Sequence, residues 1–170
     1  GVLVDHKTDD APMNMPPVRI VVSSPQLKSI ELSGSGDVDI KDSVALGDLS
    51  LLLSGSGDID IEYLDCSSVK AVVSGSGDIK IDHVECEGDA VCDLTGSGDI
   101  NVDVVSDNVN VTVSGSGDAD LTVDCDVINA KAIGTGNMKL VGTAKVLNKH
   151  SSGLASIDTK KLEVEQINLK

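Results

Sequence analysis

Apolar residues alternate two apart along most of the chain, and the alternation breaks at regular intervals on a pair of glycines. Before the breaks the series reads Leu49, Leu51, Leu53; Val69, Ala71, Val73; Ala90, Cys92, Leu94; and Val109, Val111, Val113. After them come Val38 and Ile40, Ile59 and Ile61, Ile79 and Ile81, Ile100 and Val102, Ala119 and Leu121, and Met138 and Leu140. A period of two rich in Val and Ile predicts strands with one face buried, and no helical spacing competes. Because an inward residue stands on each side of the break, the glycines fall at a corner between strands. These are Gly34 and Gly36, Gly55 and Gly57, Gly75 and Gly77, Gly96 and Gly98, Gly115 and Gly117, and Gly134 and Gly136. Two needs are expected there: a positive φ, and room for a neighbouring coil that a Cβ would crowd.

The break is itself a repeat. SGSGDVDI at Ser33 recurs as SGSGDIDI, SGSGDIKI, TGSGDINV and SGSGDADL, then as the worn copy IGTGNMKL at Ile133. Its Asp or Asn falls at 37, 58, 78, 99, 118 and 137, and SGLASIDT at Ser152 reads as a seventh, decayed copy. A period of 19–21 residues is the signature of a solenoid. The expected fold is all-β: a right-handed parallel β-helix of about seven to eight coils, a rod about 35 Å long at the ~4.8 Å strand spacing. A coil of that length needs a third segment, for which residues 63–68 and 84–89 are the candidates. Residues 1–17, with their prolines, read as an irregular N-terminal arm or cap, and residues 18–170 as the repeat domain. Leu162 and Val164, alternating with Glu163 and Glu165 ahead of Ile167 and Leu169, suggest a final charged edge strand.

Charge narrows the partners. The 170 residues carry a formal net charge of -15, with Arg19 the only arginine and Tyr63 the only aromatic residue. Nucleic acid and anionic lipid both require clustered cations, and neither bases nor sugar rings find a stacking platform. No run of eighteen apolar residues occurs and no basic leader opens the chain, which reads as a soluble mature segment without membrane insertion.

Three features invite chemistry. A glycine-rich loop can cradle phosphate, but such loops feed a helix N-terminus and these feed strands. The column Asp37, Asp58, Asp78, Asp99 and Asp118 stacks one carboxylate per rung, and unit charges ~4.8 Å apart repel by about 0.9 kcal/mol even in water. Hydrogen bonds from backbone N–H groups of the turn, splaying into solvent, or calcium bound between rungs would each relieve this. Calcium is the one cofactor the sequence suggests. Two residues on, Lys80 and Lys139 interrupt a second acidic column. The pairs Asp37/Asp39, Asp58/Asp60 and Asp118/Asp120 resemble the carboxylates of a polysaccharide hydrolase or lyase, yet they arise from the repeat itself, whereas a catalytic site breaks one. His6, His83 and His150 lie apart and read as surface residues.

Cys66, Cys86 and Cys125 sit seven or eight residues after their repeat Asp, hence in one column, and Cys92 belongs to an inward strand. Parallel stacking leaves Cβ atoms near 4.8 Å, wide for a disulfide, which favours free buried thiols. An exported setting favours at least one bridge, with Cys66 to Cys86 the best placed. On the outward face, Leu52, Val72 and Val91 form an apolar spot that either the N-terminal arm covers or a protomer or receptor contacts.

The GSGDI-type repeats, preceded by VRIVVSSPQLKSIELSGSGDVDI (Val18 to Ile40), resemble the bacterial autotransporter-adhesin head family called the GIN domain. The resemblance implies a pectin-lyase-like β-helix in an exported protein of Bacteroidetes, at the cell surface, on the outer membrane or in the periplasm, serving adhesion. The expected function is thus a non-enzymatic adhesin or structural display rod of the envelope. Its partners would be a surface receptor, a glycan, an envelope component or a second copy. A polysaccharide-active enzyme and a calcium-stabilised surface spacer are the alternatives.

Overall fold

The computed structural model describes residues 27–41, 44–45 and 47–169; the arm expected over residues 1–17 lies outside them. Thirteen strands are present among the described residues and no helix: β1 (Ser29–Leu32), β2 (Val38–Ile40), β3 (Val44–Ala45), β4 (Asp48–Leu53), β5 (Ile59–Ile61), β6 (Leu64–Cys66) and β7 (Ser68–Val73), then β8 (Ile79–Cys86), β9 (Asp89–Leu94), β10 (Ile100–Val113), β11 (Ala119–Gly134), β12 (Asn137–Gly153) and β13 (Ser156–Leu169). Every pairing is parallel, and each strand pairs with its equivalent one coil away, in a β-solenoid of about seven turns.

Each coil has three segments. One follows the glycine corner (β2, β5, the start of β8), a second follows a bend (β3, β6, the end of β8), and a third leads to the next corner (β4, β7, β9). The middle segment, which the sequence only suggested, is short: Leu64 and Cys66 point inward around Asp65, and Val84 and Cys86 repeat the arrangement around Glu85. From β10 onward the bends are taken without breaking the ladder, so one strand runs most of a coil.

The inward register is the one the alternation predicts. Leu51, Leu53, Ile59, Val73, Ile79, Leu94, Ile100, Val113 and Leu140 are all at most 1% exposed. Stacked Ile, Val and Leu therefore fill the interior as continuous columns, each side chain resting on its equivalent in the neighbouring coil. The shortening of the period from 21 to 19 residues is also localised. Ile81 pairs with Val102, Val84 with Val104, and Asp89 with Asn108, so one residue is lost at a bulge near Asp103 and another at the bend beyond Val105.

Among the described residues β13 pairs only with β12. Its inward residues are consequently less covered, with Ile167 55% and Leu169 74% exposed, and it is the charged final strand the sequence suggested.

Candidate functional surface

The corner explains the repeat residue by residue. Seen from Gly55, the carbonyl of Gly34 stands where a Cβ would have to go; seen from Gly57, that of Gly36 does, and the same holds from Gly75 and Gly77 through Gly115 and Gly117. The first carbonyl of each pair is used: Gly55 O accepts from Ser76 N at 2.9 Å and from Gly77 N at 3.3 Å. The expected positive φ is not the reason for these glycines. Among the described residues only Gly134, Gly142 and Gly153 have φ in the left-handed region, at 114°, 112° and 81°. What excludes a side chain from Gly55 to Gly117 is the backbone of the coil before, the crowding expected from the sequence, while a Cβ at Gly34 or Gly36 in the first corner would meet no described atom within 4 Å.

The aspartate completes the unit. In a regular parallel ladder the N–H of Asp58 would donate to the carbonyl of Gly36, but that carbonyl faces the Cα of Gly57 instead. The carboxylate of Asp37 takes its place, accepting from Asp58 N at 3.1 Å. The chain continues with Asp78 N to Asp58 Oδ1 at 2.9 Å, Asp99 N to Asp78 Oδ1 at 2.7 Å, Asp118 N to Asp99 Oδ1 at 2.7 Å and Asn137 N to Asp118 Oδ1 at 2.6 Å. In return Ile59 N donates to Asp78 O at 2.9 Å and Ile79 N to Asp99 O at 3.0 Å. The carboxylates thus accept from the turn of the next coil rather than from their own, and each brings a charge-assisted bond that offsets repulsion along the column. Among the described residues no three His, Cys, Asp or Glu side chains converge as ligands.

The second acidic column is partly neutralised. Lys139 Nζ lies 3.4 Å from Asp120, while Lys80 turns to Asp82 at 2.7 Å instead of to the column. Asp82 raises the Lys80 pKa above the ordinary lysine value, first through that hydrogen bond and then through its charge. Lys145 is raised in the same way by Asp126, 2.5 Å away.

The outward face of the segment before the corner carries a ladder that sequence reading missed. Asn129 Nδ2 donates to Asn110 Oδ1 at 2.9 Å, Asn148 to Asn129 at 2.8 Å and Asn168 to Asn148 at 2.8 Å. The recurrence of Asn at intervals of 19, 19 and 20 was the available signal. Beside it run Thr112, Lys131 and His150, which with Asn110, Asn129 and Asn148 line a shallow depression of about 240 Å³. Lower on the same face Leu52 and Val72 are register partners and half-buried, while Val91 stands opposite Lys70 in the adjoining column.

On another face the lone aromatic ring has a partner: Tyr63 stacks on His83 with centroids 5.3 Å apart, and His83 approaches Glu85 at 3.5 Å and Asp103 at 3.9 Å. His150 is far from this pair on the Asn-ladder face, so the described histidines share no site. The four cysteines are free thiols, all buried. Burial pushes the Cys92 thiol up to about 12 and the Cys125 thiol up to about 11.

Stacked parallel coils, a repeated acidic corner and ladders of identical polar side chains define a β-solenoid whose surface chemistry is periodic. The chain belongs to the family described as "Putative auto-transporter adhesin, head GIN domain", whose profile matches residues 4–102 and again residues 83–170. Two overlapping matches are what a chain of equivalent coils gives. No curated protein and no solved structure matches the chain.

Proposed function

We propose that this protein is an exported, non-enzymatic rod that presents a periodic acidic and hydroxylated surface for adhesion at the cell envelope. Membership of an adhesin-head family supports the adhesive role and the surface location. The observation that carries the non-enzymatic part is the aspartate ladder. The most conspicuous carboxylates of the chain each hold a backbone N–H of the next coil, an architectural task repeated at every corner from Asp37 to Asp118. A catalytic pair would instead be a local departure with two carboxylates in unlike surroundings.

A surface that repeats every ~4.8 Å suits adhesion by many weak contacts, because linked sites gain avidity that no single contact has. Ser56, Ser76, Ser97 and Ser116 are exposed at successive corners and add hydroxyls at the same spacing. The partner is a receptor, glycan or envelope component bearing repeated groups of its own.

Beads coated densely with the protein are expected to be retained on immobilised mucin or epithelial matrix, and the soluble monomer only weakly. The same preparation is expected to release no reducing ends from pectin, polygalacturonate or chondroitin. Release of sugars in proportion to protein, without retention of the beads, would replace this reading by a polysaccharide-active enzyme.

A further inference from the structure

The geometry points to a disulfide between Cys66 and Cys86 that staples two adjacent middle coils. The two residues are register partners in neighbouring parallel strands, β6 and β8, and their Sγ atoms lie 2.9 Å apart. Strand neighbours fall within the ~4.4–6.8 Å Cα separation that disulfides span, and parallel Cβ vectors alone would leave the sulfurs too far apart. Here the side chains turn toward each other, and a displacement of under about 1 Å brings the sulfurs to the ~2.05 Å bond length.

The other two cysteines have no comparable partner. Cys125 lies in the same inward column, but its register partner is Ser106, which separates it from Cys86 by a coil. Cys92 stacks between Ala71 and Val111 in a different column. One bridge and two free thiols is therefore the pattern the fold permits.

The pair is also polarised. The hydrogen bond with Cys86 lowers the Cys66 pKa, while that bond and burial raise Cys86. Oxidation runs by exchange with a disulfide of the thiol-oxidant class present in exported compartments. Cys66 sulfur attacks one sulfur of the oxidant and expels a thiolate; Cys86, losing its proton, then attacks Cys66 sulfur and expels the second. Two protein thiols lose two electrons and two protons, and the oxidant leaves as two thiols. Because Cys66 is 2% and Cys86 8% exposed, the exchange takes place while the coils are still closing, and the stacked coils then bury the bond.

The oxidising compartment is taken from the proposed export, but the chemistry is tested without it. The full chain is refolded in a buffer of reduced and oxidised glutathione, quenched with N-ethylmaleimide under denaturing conditions and weighed intact. Two of the four thiols are expected to escape alkylation, with the Cys66 and Cys86 peptides linked after proteolysis. The melting temperature is expected to rise by about 5–10 °C and to fall back with reductant. Cys66→Ser and Cys86→Ala should each leave three alkylatable thiols and no intramolecular bridge. Both replacements have precedents in the same column, where Ser106 and Ala144 are buried, so these variants are expected to fold. Four alkylated thiols in the refolded wild type, or a bridge through Cys92 or Cys125, would overturn the assignment while leaving the adhesive role untouched.

Discussion

Asp99 Oδ1 accepts the backbone N–H of Asp118 at 2.7 Å, joining two residues 19 positions apart through one carboxylate. The bond replaces a ladder hydrogen bond that the glycine corner has given up, so it is local in space and remote in sequence. An amide oxygen can do the same work. Asp99→Asn should melt within a degree or two of the wild type, since it keeps the acceptor and removes repulsion from Asp78 and Asp118. Asp99→Ala leaves the N–H to water and should cost about 1 kcal/mol. Urea unfolding of the two variants separates them, and equal loss in both would show that charge, not the acceptor, is what the ladder needs.

The glycines should divide by what faces them. Adding a Cβ at Gly77 drives it into the carbonyl of Gly57, a backbone atom that cannot move without unstacking a coil, whereas at Gly88 the nearest atom is Ser67 O at 3.1 Å. Gly77→Ala is expected to destabilise by about 3 kcal/mol or more, and Gly88→Ala by less than about 1 kcal/mol. Thermal melts of both check this. A mild effect at Gly77 would mean that the coils separate more easily than their packing indicates.

Neighbouring residues in a middle rung face opposite ways. Ile79 is 0% exposed, while Lys80 projects outward to Asp82. Ile79→Asp places an unpaired charge in the column and should cost about 4 kcal/mol or more, enough to unfold the central coils. Lys80→Asp should lower the melting temperature only slightly, through added repulsion near Asp60 and Asp82. Comparable losses at the two positions would contradict the register.

How much of this was legible depended on whether the determining contact lies along the strand or across coils. Inward residues such as Ile79 and Leu94 were readable because a period of two is enough to assign them. The segment containing Leu64, Asp65 and Cys66 was placed only as a candidate within residues 63–68, because three residues give one alternation and a cysteine is an ambiguous core residue. The corner glycines were located correctly and the crowding of a neighbouring coil expected there holds from Gly55 to Gly117, whereas the positive φ also expected is found at Gly134 alone among the corner glycines, since a sequence does not distinguish a positive φ from a carbonyl facing Cα. Likewise the aspartates were visible as a column, but which N–H each one holds depends on the coil-to-coil register. The Asn110–Asn129–Asn148 ladder begins only midway up a column that opens with Ser29, Ser50, Lys70 and Val91, so its periodicity is confined to the later coils.

Calcium separates a spacer stiffened by metal from a rod that stands by itself. Bridging the corner column would require a cation to take carboxylate oxygens from Asp58, Asp78 and Asp99, whose Oδ1 atoms already accept N–H groups at 2.9, 2.7 and 2.7 Å. A cation on Oδ1 would compete with those N–H groups, and one held by a column of Oδ2 atoms alone would have fewer oxygens than the roughly six to eight that calcium takes. The metal-stripped protein is therefore expected to melt within about 2 °C of the same protein in millimolar calcium, because a ligand that does not bind the native state adds nothing to its stability. A larger rise, specific to calcium over magnesium and abolished by Asp78→Asn with Asp99→Asn, would make the column a metal ladder.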